Sequence, residues 1–419
     1  MHPNHKKNIV KIPLLLSLIS LLLVGVGCFF GYYLTVRLFR MKIETFSQAA
    51  TLGKLLNEQQ KTATSQAYYD PATVVQEIDR YSWAIPTVVT PFVGHGNKPG
   101  RHNNAEINSM QFRAEQELVV PKPPNTYRIF ITGGSTAFSS GAPSQDRTIA
   151  AYLSRLLTTR QTPTTQRNYE VFTMATPAWA SSHERIIIEN RLSELEPDLV
   201  ISLSGNNDVH WGVQGRNIFW FRSYSDEFYW DLLNTVYFLA GFEKMPDVVP
   251  IDATPVAPIV VAERLEKNIR LSSYVLSLEN IPYVFCLQPT IAVTKKNLTD
   301  REIRASKVLK EYFRACYQEI ESRLSQLQIE SFIYCNLATI FDQRSNQEEI
   351  FVDSYHFGDK GNEIIAENVY QCIKDTVVSS LKLSKHHHQE EVPVKSGRDS
   401  HGRGLPSTTS SSTTNATAP

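Results

Sequence analysis

Four short polar clusters in this 419-residue chain carry residue types that could act on an ester carbonyl or hold an anion. The first is Gly133-Gly134-Ser135-Thr136, directly after an apolar run. Where a strand turns into a helix, a Ser behind two glycines offers its hydroxyl and nearby backbone N–H groups to an anion or oxyanion. A phosphate-binding loop, or a tight turn with a capping Ser, has the same pattern. The second, Ala175-Thr176-Pro177-Ala178-Trp179, says only that a loop is present. The third is Gly205-Asn206-Asn207-Asp208. Asn donates hydrogen bonds without charge, which suits a developing oxyanion, although turns use Asn for backbone reasons too. The fourth is Asp353-Ser354-Tyr355-His356. An Asp three residues ahead of a His can hold the imidazole in one tautomer while its other nitrogen faces a nucleophile. An N-cap beside a surface His is the alternative.

An unassisted Ser hydroxyl is a poor nucleophile near neutral pH, so a base must take its proton during attack. The chain has no Gly-x-Ser-x-Gly, which argues against the nucleophile elbow of α/β-hydrolases. The Ser135 loop also lacks the Lys of a Walker loop. His183 and Glu184 are expected to be surface caps at a helix start, and His210 an exposed loop residue or a pocket-lining one. No His, Asp and Glu cluster has metal-ligand spacing, so neither a metal nor another cofactor is expected.

The elements that must position these clusters alternate. Tyr127–Thr132, Tyr169–Ala175, Asp198–Leu203, Pro282–Leu287 and Phe332–Leu337 read as strands. Thr148–Leu157, Ser182–Leu195, Ile259–Leu278, about Asp300–Leu327 and about Gly361–Leu381 read as helices. This alternation predicts an α/β fold, a doubly wound five-stranded parallel sheet. Functional groups gather at the carboxyl ends of strands in such sheets, and the first, second and third clusters follow strands one, two and three. The fourth comes between strand five and the last helix.

In conjunction, the clusters resemble the SGNH (GDSL-type) hydrolase superfamily. The resemblance covers roughly residues 105–378. It extends to Ile107-Asn108-Ser109 through Phe112-Arg113 and to Lys122–Ile129, which are similar to the approach to the Ser block in membrane-anchored bacterial members. Phe285–Pro289 is similar to their fourth strand, and His356-Phe357 through Gly361-Asn362 to their final helix start. The resemblance implies a flavodoxin-like sheet, with Ser135 as nucleophile, His356 as general base and Asp353 as its orienting partner. It further implies an oxyanion hole made of the Ser135 N–H, the backbone N–H of the second block at Ala175, and the Asn207 side chain. Two departures stand out. Gly-Gly-Ser-Thr replaces Gly-Asp-Ser-Leu, and Ala175 stands where the second block normally has Gly, an exchange that strains the chain if a positive φ is needed.

From Ile12 to Val36 there are 25 residues without a charge, enough to span a bilayer as a helix. Phe29, Phe30, Tyr32 and Tyr33 replace the small residues of a signal-peptide cleavage site and suit an interfacial belt. An uncleaved anchor over 1–42 is therefore expected. Lys6, Lys7 and Lys11 before it balance Arg37, Arg40 and Lys42 after it, so charge leaves the orientation open. The short head favours an extracytoplasmic domain. A stalk and lead-in over 43–125, the α/β domain over 126–381 and a disordered tail over 382–419 complete the expected organisation. An insertion at 209–256 is rich in aromatic residues, eleven of the 32 from Trp211 to Phe242. It suits a cap with its own small core, a lid over the site or a membrane-touching patch.

Equal numbers of basic and acidic residues, 42 each, argue against a nucleic-acid partner. Among five Cys there is no C-x-x-C pair. Cys286, Cys316, Cys335 and Cys372 are expected as buried thiols, with two disulfides as the alternative in an exported domain. His386-His387-His388 is expected to be solvated, and Asn297 and Asn415 match the glycosylation sequon. The expected activity is hydrolysis of a short-chain acyl ester, with an envelope glycan as a candidate carrier. An acyltransferase with the same triad, a degenerate anchored scaffold and a nucleotide-binding loop are the alternatives.

Overall fold

The computed structural model describes residues 11–161, 166–215, 223–245, 254–306 and 308–389. Its first element, α1 (Lys11–Phe46), is the one described helix long and apolar enough to cross a membrane, over Pro13–Glu44. Beyond it the chain does not extend as a stalk. It forms small strands β1 (Ala50–Thr51), β2 (Ser82–Ala84), β3 (Thr87–Thr90), β4 (Gly94–Asn97), β5 (Gly100–His102) and β6 (Ala105–Ile107). Two short helices, α2 (Glu58–Ser65) and α3 (Pro71–Glu77), lie between the first two strands. Leu52, Ala67, Tyr68, Val74, Ile78 and Tyr81 share a buried cluster with Val352, the residue before Asp353. The lead-in is thus part of the packing around the fourth sequence cluster.

The central sheet has strands β7 (Thr126–Gly133), β8 (Asn168–Ala175), β9 (Leu199–Ser204), β10 (Tyr283–Leu287) and β11 (Phe332–Asn336). They pair in the order β11-β10-β9-β7-β8, and every pairing is parallel. Helices α4 (Ser135–Phe138), α5 (Ile149–Thr159), α6 (Ser181–Ile187), α7 (Asn206–Val213), α8 (Tyr224–Leu239), α9 (Pro258–Ser277), α10 (Asp300–Ala305), α11 (Lys310–Leu324) and α12 (Asp359–Gln389) complete the described elements. β9 and β10 are buried at every position, which is why they read as largely apolar runs, β9 interrupted only by Ser202 and Ser204. Chain order reverses between β7 and β9, and that divergence opens the crevice outside their carboxyl ends.

Several boundaries differ from expectation. The helix expected over Ser182–Leu195 is α-helical only to Ile187 and continues as π and 3-10 turns. The helix expected from Asp300 breaks after Ala305 and resumes at Lys310. Residues 382–389, expected to be disordered, continue α12; residues 390–419 lie outside the described ones, as does the sequon at Asn415. Asn297 is exposed. The chain divides into compact units Met1–Thr376 and Val377–Pro419. In the aromatic insertion, residues 216–222 and 246–253 lie outside the described residues, and the helix α8 between them has no buried residue.

The expectation of four buried thiols is corrected. Cys335 and Cys372 form a disulfide that ties β11 to α12, while Cys286 and Cys316 are buried and free. Pairing across 37 residues depends on how the last helix packs, which residue spacing does not show. Burial pushes both free thiols up to about 12, so neither forms the reactive thiolate near neutral pH. Peptide mapping without reductant should recover one Cys335–Cys372 linked pair. Iodoacetamide should leave Cys286 and Cys316 unmodified in the folded protein and alkylate both after unfolding.

Candidate active site

Ser135 opens α4 at the end of β7, and Asn207 lies in the first turn of α7 at the end of β9. Close approach of these two strand ends requires glycine. A Cβ on Gly133, whose φ is +149°, would sit 2.4 Å from the Leu203 carbonyl oxygen. One on Gly134 would sit 2.3 Å from Asn207 Nδ2. The pair of glycines before the Ser is therefore a packing requirement as well as a turn. Among residues 127–142, Ser135 and Thr126's successors show a simple pattern: the strand and turn up to Gly134 are buried, while Ser135 is half-exposed.

The fourth cluster comes back to this point from the far end of the chain. His356 Nε2 lies 2.7 Å from Ser135 Oγ, across 221 residues. His356 Nδ1 lies 2.9 Å from both carboxylate oxygens of Asp353. Asp353 Oδ1 also accepts from the amides of Tyr355 and His356, at 2.8 and 2.9 Å. Desolvation opposes ionisation of Asp353. The adjacent imidazole and these hydrogen bonds outweigh it and hold the carboxyl below its ordinary value. Hydroxyl, imidazole and carboxylate thus touch in series, a geometry that lets the imidazole accept the hydroxyl proton while the carboxylate fixes its tautomer.

The loop carrying Asp353 and His356 is held by a buried ion pair. Lys296 Nζ lies 2.7 Å from Glu302 Oε2, and both side chains are wholly buried. The other oxygen of Glu302 accepts from the amides of Ile350 and Phe351 at 2.9 and 3.1 Å. Arg301 donates to the Val352 carbonyl at 2.9 Å and to Glu349 at 2.7 Å. The Ser354 carbonyl accepts from Thr290 Oγ1 and the Ile291 amide, at 3.0 and 3.1 Å. Glu349 to Val352, and Ser354, are each held by α10 or by the loop after β10. On the opposite side, Thr136 Oγ1 donates to the Tyr355 carbonyl at 3.2 Å.

The sequence signal for these supports is uneven. Arg113, in the lead-in segment, is buried and donates to the Phe138 and Ser139 carbonyls at 2.6 and 3.0 Å, closing the end of α4. Nothing in its spacing shows that. Trp83 sets its ring edge-on to the His356 ring at 4.2 Å. It also borders a cleft of about 720 Å³, lined by Leu52, Leu56, Gln60, Arg304, Asp353 and Tyr355 among others.

Two of the three expected oxyanion donors have an N–H without an acceptor among the described residues. The Ser135 amide has no acceptor among the described residues. Asn207 Nδ2 donates one hydrogen to the Trp179 carbonyl at 2.6 Å, which leaves its second N–H for an incoming oxygen. Ala175 does not fit. It is the last residue of β8, and the amide of the next residue, Thr176, bonds the Gly133 carbonyl. Neighbouring amides in a strand point opposite ways, so Ala175 turns its backbone away from β7, where its carbonyl accepts from Asn97 at 2.8 Å. A free backbone N–H lies three residues later. Ala178 has φ +75°, is half-exposed, and its amide has no acceptor among the described residues. The Trp179 carbonyl beside it lies 3.1 Å from the Cβ position of Gly134. The positive φ feared for Ala175 is real, but it belongs to Ala178.

Three other residues depart from expectation. His183 and Glu184 are buried, not surface caps. His183 Nδ1 accepts from the Ala180 amide at 3.3 Å, while burial pushes the Glu184 carboxyl up to about 7. His210 lies in α7, half-buried, with Nδ1 3.3 Å from the Tyr355 hydroxyl and Nε2 2.8 Å from Gln214. Asp208, the last residue of the third cluster, accepts from the Ser181 hydroxyl and amide at 2.5 and 3.1 Å and so clamps the start of α6.

No family model matches the sequence, and no curated protein matches it. Solved structures do. An acetyl xylan esterase is 13% identical, over 59% of this chain and 99% of that chain, with a TM-score of 0.35. TesA is 14% identical, over 59% and 98%, with a TM-score of 0.35. An acetylxylan esterase from Geobacillus stearothermophilus is 13% identical, over 59% and 94%, with a TM-score of 0.34.

Glu302→Ala should destabilise the fold by about 3–5 kcal/mol, because it strands the Lys296 charge and two amides without partners. Denaturant melts measure this. Ala178→Gly should instead stabilise the protein by about 1 kcal/mol, since an L-residue carries roughly that strain in the left-handed region.

Proposed function

We propose that this chain is a membrane-anchored serine esterase that hydrolyses short O-acyl esters. The observation that carries the reading is the unbroken contact chain from Ser135 Oγ to His356 Nε2 and from His356 Nδ1 to Asp353. Ser135 attacks the ester carbonyl as His356 takes its proton. The resulting oxyanion lies against the Ser135 amide, the free N–H of Asn207 and the Ala178 amide. His356 then returns the proton to the leaving alcohol, and water releases the acyl group by the same route in reverse. Asp353 stays ionised throughout and stabilises the imidazolium that forms.

The apolar helix α1 supports anchoring, and the reading places the catalytic domain on the extracytoplasmic side. An envelope glycan is the proposed acyl carrier. If a glycan hydroxyl replaces water in the second step, the same residues perform acyl transfer. The placement of Trp83 between the triad and a cleft supports an acceptor or leaving-group site there.

A fluorophosphonate probe should label the wild type and fail to label Ser135→Ala. Asn207→Ala should keep the probe site but lower kcat on p-nitrophenyl acetate by about 10²–10³, the usual loss for one oxyanion donor. Release of acetate that is unchanged by added glycan, with no acylated glycan formed, would leave hydrolysis as the activity. Absence of labelling in the folded wild type would remove the esterase reading altogether.

A further inference from the structure

A second polar centre lies outside the triad. His95 in β4, His183 in α6 and Asp226 in α8 meet in the interior, and their ligand atoms all lie within 4.8 Å of one another. His95 Nδ1 is 2.8 Å from Asp226 Oδ1, and His183 Nε2 is 3.4 Å from Asp226 Oδ2. The His95 side chain is wholly buried, that of His183 is 8% exposed and that of Asp226 17% exposed. His95 is held from behind: its carbonyl accepts from Trp179 Nε1 at 3.2 Å. Its Nε2 is buried and has no hydrogen-bond partner.

We propose that these three residues bind a first-row divalent transition ion, with zinc as the representative case. Two imidazoles and a carboxylate are a donor set such ions favour, and hard Mg²⁺ or Ca²⁺ do not select imidazole. Ligand atoms around a tetrahedral zinc stand about 3.3 Å apart, given bonds of about 2.0–2.1 Å. The two contacts at 2.8 and 3.4 Å bracket that edge length. All three side chains are largely buried, so the donor set is already assembled in the interior before any ion arrives. Binding would shift the proton that His95 Nδ1 now shares with Asp226 to Nε2, so that a neutral imidazole ligates through Nδ1.

The ion would act as a staple. It would join the β3–β4 hairpin, the start of α6 and the insertion helix α8, which has no buried residue of its own to secure it. The His183 ring stacks on Trp179 at 6.0 Å, and the Trp179 carbonyl takes the Asn207 amide. The proposed ion is therefore one residue's packing away from an oxyanion donor.

The test uses the full chain in detergent, in a background with His386, His387 and His388 changed to Ala so that the tail cannot contribute. After chelation and removal of the chelator, Zn²⁺ titration should show one equivalent bound. Co²⁺ should give the visible absorption of a low-coordinate nitrogen and oxygen site, and Mg²⁺ and Ca²⁺ should not compete. Free Zn²⁺ at about 100 times its Kd should raise Tm by about 5 °C. It should also protect α8 from limited proteolysis. Asp226→Asn and His95→Gln should each weaken binding by at least about 100-fold, more than loss of an outer-shell partner. Retention of fluorophosphonate labelling shows that these variants are folded. If the wild type takes up no Zn²⁺ at micromolar concentration, or if the folded variants bind it as tightly, the proposal is overturned. Labelling and metal uptake are separate readouts, so this inference can fail while the esterase reading stands.

Discussion

The contact between Ser135 Oγ and His356 Nε2 joins two residues 221 positions apart, and the rest of the domain exists to make it reproducible. Neither side chain has any local preference for the other. The Ser is set by the divergence of β7 and β9, where Gly133 and Gly134 let two strand ends come closer than any side chain would allow. The His is set by a loop with no regular structure. A loop can hold an imidazole to within a few tenths of an ångström only when its own backbone groups are tied down.

Glu302 does much of that tying. One carboxylate satisfies a buried Lys and two consecutive amides, so it cannot move without leaving several groups unpaired in a dry interior. The same logic recurs on the other side of the crevice. Arg113 closes the end of α4 on two carbonyls, and Asp208 clamps the start of α6 through Ser181. At the crevice itself, the Ser135 and Ala178 amides and the second N–H of Asn207 have no acceptor among the described residues.

The segment between α1 and the sheet has a larger part than its composition suggests. Its small apolar cluster includes Val352, Trp83 meets His356, and His95 and Asn97 reach the loop after β8. Packing the lead-in onto the carboxyl ends of the strands places the long apolar helix and the walls of the crevice in one continuous stretch of chain. Helix α8 of the aromatic insertion joins this arrangement through Tyr229, whose hydroxyl donates to the Thr87 carbonyl at 2.8 Å, and through the stacking of Phe228 on Phe46.

The five strands were legible in the sequence because strands buried on both faces are predominantly apolar, so β10 reads as one apolar run and β9 as one broken only by the small Ser202 and Ser204. Their parallel arrangement follows from the helices between them. Ser135, Asn207, Asp353 and His356 stood out because strand-end loops with those side chains have few purely structural uses in combination. What tertiary structure alone decided was everything set by phase or by distant pairing. One residue of strand phase turns the Ala175 backbone away from β7, and the amide left without an acceptor is that of Ala178, whose positive φ no composition reveals. Cys335 finds Cys372, Glu302 finds Ile350, and His95 finds Asp226 across 131 residues, because the packing of whole elements brings them together. A sequence records which side chains are available at each strand end; only the folded chain determines which of them face one another.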